Sequence, residues 1–500
     1  MRFPNPLTAA GRYRDALTDP ARADRTVLMS LVLYAVLWAL YATIAKGSQG
    51  LHYDMAEVIA WSRDLGLGYF KHPPLAAWTA WLWFSVFPVA EWSYYLLAMT
   101  MPAIALWFAW AVSADYLVLE KRVAGLALLT LVPFFNFHAL KFNVNTVLIP
   151  LWAATTFWFL RSFETRSRLY AVLAGLGAAG CMLGKYWSVF LLAGLALAAL
   201  IDVRRGVYFR SAAPWLTVAA GLMALAPHVA WLVRYEFAPF RYAMVVHGDK
   251  PVGATLISTL GYFGGSIGYI AIPLLIVLVA SWPSRETLAD MIWPREPSRR
   301  LAAAAFWGPF LLPMLGAVAS GTEITSLWSM PAWTLLPVLL LSSPKVTLRA
   351  TDTRRMLVAT AAVPLAMLIV APAFAVFVHR NGPQPAAAQG RLLAIQVEQL
   401  WHQATPLPLR FVGGDAEIAY SVVAYAYDRP RALPGLPPRD AAQLAQSGMA
   451  LVCFAADTAC VSAARAQAPH AAVNASEIWR SFWAMPGKPQ RYSIVIVPPG

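Results

Sequence analysis

Apolar runs long enough to cross a bilayer recur along most of this chain, beginning with "TVLMSLVLYAVLWALYATIA" (26–45). About 20 helical residues span the roughly 30 Å hydrocarbon layer, where a helix satisfies its own backbone polar groups. About eleven such spans are expected, near 27–45, 92–118, 123–139, 146–160, 169–184, 187–201, 212–233, 257–281, 301–319, 327–342 and 356–378. Composition agrees: of 500 residues, 59% are hydrophobic and 13% charged, about half the charged share of a soluble protein. The expected fold class is a polytopic α-helical membrane protein. The segment "LAAWTAWLWFSVFP" (75–88) is too short to span and rich in Trp. It reads as a helix lying at the interface, where indole rings settle.

A net charge of +14 would suit a nucleic-acid binder, but its distribution argues for no nucleic-acid partner. With the N-terminus inside, 21 Lys and Arg fall on the inner side. Eight fall outside: Lys46, Arg63, Lys71, Lys141, Lys185, Arg234, Arg241 and Lys250. The other ten follow residue 378, and none lies within a span. This is the positive-inside asymmetry. It makes 1–26, carrying Arg2 to Arg25, a cytoplasmic tail and 27–378 the transmembrane domain, with 46–91 as its first outer loop. The first apolar run is too long for a cleavable signal peptide and no small-residue cleavage site follows it. A bias toward Ala, Trp and Arg points to a GC-rich bacterium, so the expected location is a bacterial inner membrane with the outer loops in a periplasm.

Beyond residue 378 the character changes. "NGPQPAAAQG" (381–390) reads as a linker. "LRFVGG" (409–414), "MALVCFA" (449–455) and "RYSIVIV" (491–497) read as strands, with helices at 416–427 and 440–448 between them. Residues 379–500 therefore form a small periplasmic α/β domain. Its positive and negative residues nearly balance, so nothing in its composition marks an anion binder. It either shapes a substrate cleft or docks a partner. Cys453 and Cys460 lie in this domain, where an oxidising compartment permits a short disulfide loop, while Cys181 falls within a span. There is no CxxC, HExxH or Cys/His cluster, so structural zinc is not expected; a divalent cation is left open.

The first outer loop concentrates charge in a chain that otherwise avoids it. On a helix starting near Tyr53, Asp54 and Glu57 stand at i and i+3, and Trp61 and Asp64 continue that face. Met55, Val58 and Ile59 would face lipid. Then "HPP" (72–74) imposes an extended turn, because the residue before a proline is pushed out of the α region. Spacing alone leaves two readings: an ordinary amphipathic interfacial helix, or a polar site.

The stretch "YDMAEVIAWSRDLGLGYFKHPPLAAW" (53–78) resembles the first outer loop of the GT-C superfamily glycosyltransferases, nearest the group of protein O-mannosyltransferases and lipid A aminoarabinose transferases. Those proteins carry an Asp-Glu pair on a juxtamembrane helix, then a Gly-Tyr-Phe-x-x-Pro-Pro turn leading to an interfacial helix. Here Asp54 matches the acidic catalytic base, and "GYFKHPP" (68–74), with Tyr69, matches the turn. The topology of many spans plus a small outer α/β domain is similar too. Two departures stand out. Met55 replaces the frequent Glu, leaving Glu57 as the nearby carboxylate, and Asn143 and Asn145 stand in the second outer loop where relatives place an Asp. An amide oxygen is a weaker metal ligand than a carboxylate but hydrogen-bonds sugar hydroxyls well.

The resemblance implies transfer of a sugar from a polyprenyl-phosphate donor, with inversion, to a hydroxyl on a periplasmic acceptor: lipid A, another glycan or a protein. Asp54 would take the acceptor proton, and Glu57 would orient it. Cations would meet the departing phosphate; Lys71, His72, Lys185, Arg234, Arg241 and Lys250 are the outer-face candidates, with Asn143, Asn145 and Tyr69 as further donor-binding residues. Lys185, in "LGKYWS" (183–188), sits in a minimal turn between two spans, where headgroup phosphates would also attract it. The loop "RYEFAPFRYAMVVHGDKPVG" (234–253) suits a phosphosugar or an interfacial anchor equally, and "GTEITSLWSMPAW" (321–333), with Glu323 and Trp328, would line the cleft. Two other classes are a flippase or transporter of an amphiphilic substrate and a non-catalytic scaffold. A transporter would show ionisable groups within spans and internal repeats; no Lys or Arg falls in any span and no repeat is seen.

Overall fold

The computed structural model describes residues 6–435 and 439–500. Arg2, assigned above to the cytoplasmic tail, lies outside them. The chain divides into two compact units: residues 1–39, 71–75 and 96–367, and residues 40–70, 76–95 and 368–500.

The first unit is helical. Among the described residues five helices of the whole chain are long and apolar enough to cross a membrane: Ala23–Ala45, Glu91–Ser113, Ala213–Arg234, Pro297–Ser320 and Ala350–Asn381. A bent pair, Val252–Tyr269 and Ala271–Ser281, makes a sixth if it is one span. The 55° bend falls where Pro273, lacking an N–H, cannot bond the carbonyl of Tyr269. Several expected spans are shorter. The run 123–139 is a helix only over Leu119–Thr130, followed by a 3-10 turn at Pro133–Phe135, because Pro133 cannot continue the hydrogen-bond ladder. Arg168–Gly184, 186–201 and 326–341 form shorter apolar helices.

Close helix approach depends on small residues, as it must where lipid offers no hydrophobic drive between helices. Arg168–Gly184 packs on Ala213–Arg234 at Gly175, where a Cβ would lie 2.3 Å from the Thr217 carbonyl oxygen. Val189–Ile201 packs on Pro297–Ser320 at Gly194, where a Cβ would lie 2.5 Å from the Pro309 nitrogen. Ion pairs join the helix ends that the charge distribution assigns to the inner side. Arg161 pairs with Asp115 at 2.9 Å, Arg299 with Asp290 at 2.8 Å, and Arg204 with both Glu164 (2.7 Å) and the buried Asp202 (3.0 Å).

The second unit is built round a five-stranded sheet with order β2-β1-β3-β7-β4, where β1 is Phe411–Gly414, β2 Arg431–Ala432, β3 Met449–Phe454, β4 Val473–Ile478 and β7 Gln490–Val497. A short hairpin joins β5 (Ser481–Phe482) to β6 (Met485–Pro486). β1 runs parallel to β2 and β3; β7 runs antiparallel to β3 and β4. Gly414, at φ +100, turns the chain out of β1 so that Asp415 caps the Ala416–Tyr425 helix through the Glu417 and Ile418 N–H groups. Cys453 and Cys460 are disulfide-bonded, with Cα atoms 5.8 Å apart.

This unit is not confined to the C-terminal segment. Ala60 of the first outer loop joins the buried core of Leu393, Val397, Trp401, Val412, Val422 and Ile494. The expected linker 381–390 is instead partly ordered and buried: Pro385–Ala388 is a helical turn, the Ala387 carbonyl accepts from Gly50 N–H at 2.7 Å, and Ser421 Oγ donates to the Ala386 carbonyl at 3.0 Å. Alanine is small enough to be packed where a longer side chain would not fit, so its low sequence complexity misled. Tyr425 ties the loop further, accepting from Leu51 N–H (2.8 Å) and donating to Glu91 (2.7 Å).

Candidate active site

The Asp54 helix runs from Tyr53 to Ser62, as its sequence pattern predicts. His52 is its N-cap: imidazole Nδ1 accepts from Asp54 N–H at 3.2 Å and lies 3.9 Å from Asp54 Oδ1. Asp54 thus sits in the first turn, where the positive helix end favours a carboxylate. Glu57, one turn on, is buried. The negative charge of Asp54, followed by burial and by the charge of Glu417, pushes the neighbouring Tyr53 hydroxyl up to about 12. Asp54, Glu57 and Glu417 therefore form one electronegative locus. Glu417 was not a sequence candidate; it stands 363 positions from Asp54 and carries no local signal.

Met55, Val58 and Ile59 do not face lipid. All three are buried, because this helix packs on Ala416–Tyr425 and Tyr94 Oη donates to the Met55 carbonyl at 3.1 Å. Past the helix, Tyr69 is buried and stacked on Trp61 with ring centroids 4.9 Å apart. Its hydroxyl donates to the Trp61 carbonyl at 2.9 Å, so it braces the loop.

In the other unit, three breaks in helical structure bring polar groups together. Lys185 is the C-cap of Arg168–Gly184. Its Nζ donates to Asn145 Oδ1 at 2.8 Å and lies 4.5 Å from the Trp328 ring centroid, a cation–π distance. Asn145 stands in the first turn of Val144–Thr165, and Trp328 in the 3-10 segment Ser326–Leu335. His247 meets the same indole edge-on at 5.2 Å. Lys250 Nζ lies 3.9 Å from Glu323, whose N–H donates to the His247 carbonyl. Burial, then the positive charges of Lys185 and Lys250, lower the His247 pKa. Lys185, Asn145 and Lys250 thus share one group with Glu323 and Trp328, which the sequence put in the cleft lining, and with His247, from the loop read as suiting a phosphosugar or an interfacial anchor equally.

Other candidates fall elsewhere. Asn143 caps its helix, its Oδ1 accepting from Asn145 N–H (2.9 Å) and Thr146 N–H (3.2 Å). Arg241 is exposed and paired with Glu236 at 2.6 Å. Neither it nor the exposed Arg234 hydrogen-bonds or ion-pairs with the Lys185 group. Lys71 and His72 are half-buried beside the buried Pro73 and Pro74. Among the described residues no three His, Cys, Asp or Glu side chains form a metal-ligand group.

The helical architecture with its small sheet is a GT-C fold, and the resemblance to GT-C glycosyltransferases near the lipid A aminoarabinose transferases extends beyond the first loop. The structure aligns with ArnT from Cupriavidus metallidurans bound to undecaprenyl phosphate at TM-score 0.60 and 14% identity, covering 94% of this chain and 97% of that one; the apo form aligns equally well. Residues 71–231 match the dolichyl-phosphate-mannose-protein mannosyltransferase family. Two Rhizobium johnstonii proteins are similar in sequence. The lipopolysaccharide core galacturonosyltransferase RgtB is 25% identical over 335 residues, 64% of this chain and 66% of its own length. The lipid A galacturonosyltransferase RgtD is 23% identical over 232 residues, 43% of this chain and 46% of its own. The chain thus matches just under two thirds of one curated relative and under half of the other.

Proposed function

We propose that the protein is a bacterial inner-membrane glycosyltransferase that moves a sugar from a polyprenyl-phosphate donor to a hydroxyl of a lipopolysaccharide-type glycolipid on the periplasmic side. The observation that carries this reading is the fold likeness along 94% of the chain to a protein solved with undecaprenyl phosphate. The two galacturonosyltransferases support the acceptor class and make polyprenyl-phosphate galacturonate the first donor to try.

The chemistry is an inverting displacement. The acceptor oxygen attacks the anomeric carbon, the carbon–oxygen bond to phosphate breaks, and the bonding pair leaves on the polyprenyl phosphate. Asp54 takes the acceptor proton, a role for which the electronegative locus round Tyr53 suits it, and buried Glu57 helps to orient it. Lys185, held by Asn145 and Trp328, meets the charge developing on the leaving phosphate, and Lys250 and neutral His247 complete that binding group. Because the acceptor displaces a phosphate leaving group directly, no covalent enzyme intermediate is needed. The inner-side excess of basic residues supports a cytoplasmic N-terminus, and the disulfide supports a periplasmic sheet unit.

The test is reconstitution of the purified protein with labelled donor and rough lipopolysaccharide. Coupled release of polyprenyl phosphate and labelling of the glycolipid, with inverted anomeric configuration by NMR, is expected. Passage of intact donor across the bilayer without transfer would replace this reading with a flippase.

A further inference from the structure

The sheet unit's near-balance of charge conceals a cluster. A cavity of about 760 Å³ in the second unit is walled by Arg63, Arg410, Arg429 and Arg431, and among the described residues no carboxylate lines it. Arg63 is anchored: its guanidinium donates to the carbonyls of Val423 and, at 3.2 Å, Ala424, at the end of the Ala416–Tyr425 helix. Burial, then the positive charge of Arg429, lowers the Arg63 pKa to about 10, while the charge of Glu398 acts weakly the other way. Arg431 lies 3.8 Å from Asp64, a carboxylate already bound by Arg439. Arg410 and Arg429 have no ion-pair partner among the described residues.

Like charges gathered round one cavity repel one another, and the repulsion is relieved when an anion enters. Guanidinium groups also match phosphate and carboxylate geometry two bonds at a time. The remaining wall fits a sugar rather than a bare ion. Trp81, 49% exposed, offers a flat apolar face on which the C–H side of a sugar ring can pack, and the exposed Gln443 supplies a hydrogen-bonding amide. Trp81 lies on the short Leu75–Phe84 helix, which the sequence places at the membrane interface. The cavity thus joins interfacial residues to the sheet, where a glycolipid headgroup would emerge.

We propose that this arginine-walled cavity seats the anionic saccharide headgroup of the acceptor, separately from the residues assigned to catalysis and to donor phosphate. The proposal rests on the reading of the acceptor as a lipopolysaccharide-type glycolipid. Its test needs no turnover. Full-length protein in nanodiscs of zwitterionic lipid is titrated with deep-rough lipopolysaccharide, which carries phosphates and carboxylates, with the same molecule dephosphorylated and carboxyl-reduced, and with phosphatidylglycerol as competitor. Expected are salt-dependent binding of the intact glycolipid and a loss of about tenfold or more in Arg410→Ala/Arg429→Ala, whose exposed positions spare the fold. Arg410→Lys/Arg429→Lys should recover most of that binding, and donor hydrolysis should be unchanged in both. Equal affinity of the alanine variant, equal binding of the neutralised glycolipid, or full displacement by phosphatidylglycerol would overturn the proposal. If binding behaves as expected but no sugar is transferred, the enzymatic reading fails and this one stands; transfer with unaltered binding in the alanine variant does the reverse.

Discussion

Lys185→Met isolates the charge at the centre of the group proposed to bind the donor phosphate. Methionine keeps an apolar stem against Trp328 and removes the ammonium that lies 2.8 Å from Asn145 Oδ1 and 4.5 Å from the indole centroid. In the resting protein the lost interactions are a charged hydrogen bond, about 1.5–3 kcal/mol when fully formed, and a cation–π contact of about 0.5–2 kcal/mol. Lys185 is half-buried, so water offsets part of both and the cost in stability should be about 1–2 kcal/mol. In the proposed reaction the same charge faces a leaving phosphate, and removing one such electrostatic stabiliser costs about 10²–10³ in rate, about 2.7–4 kcal/mol. The kinetic loss should therefore exceed the stability loss. The assay is release of polyprenyl phosphate from labelled donor by protein in nanodiscs, run beside thermal unfolding. Asn145→Ala keeps the charge but frees its position, and should fall between wild type and Lys185→Met. A Lys185→Met enzyme within about threefold of wild type in kcat/KM, or an Asn145→Ala enzyme worse than it, would refute the phosphate role.

Arg204→Ala should lower thermal stability by about 3 kcal/mol or more, since it strands the buried Asp202 and breaks the contact to Glu164, so activity lost in that variant reports folding; exposed Arg168→Ala is the cleaner inner-side control and should leave both readouts unchanged. His247 has a lowered folded pKa, so between that value and the unfolded one, about 6.5, the unfolded chain binds more protons and stability falls as pH falls. His247→Gln should flatten this acid-side loss in pH-dependent thermal unfolding; an unchanged slope would mean the ring does not titrate that way. Cys453→Ser/Cys460→Ser opens a loop with sequence separation 7 and should cost about 2–3 kcal/mol in thermal unfolding by loop entropy; a reductant should lower the wild-type transition equally and leave the double variant unmoved.

Much of the architecture is legible where pattern and physics coincide. β3 and β7 are apolar runs bounded by turn residues, and the Asp54 helix starts at Tyr53 as read. β4, "VNASEI", is half-buried and polar at alternate positions, and too weak a signal to separate from loop. Hydropathy also overcounted helical length: it treats 123–139 as one run, whereas Pro133 ends regular helix there and Asn136 Nδ2 turns back to the Thr130 carbonyl at 3.0 Å. Candidate residues came from one local motif, as with Asp54, or from an isolated cation that interrupts apolar sequence, as with Lys185. Glu417 and the arginine cavity were not legible. Arg63 and Arg410 are 347 positions apart, and an overall charge count cannot register where folding gathers its members.

Catalysis through one carboxylate is most directly tested by Asp54→Asn, an exchange of nearly equal volume that removes basicity while leaving the His52-capped helix its backbone contacts. Donor-to-glycolipid transfer should fall by about 10²-fold or more, the scale of a lost general base, while thermal unfolding and donor binding stay at wild-type values. Wild-type turnover in that variant would contradict the account.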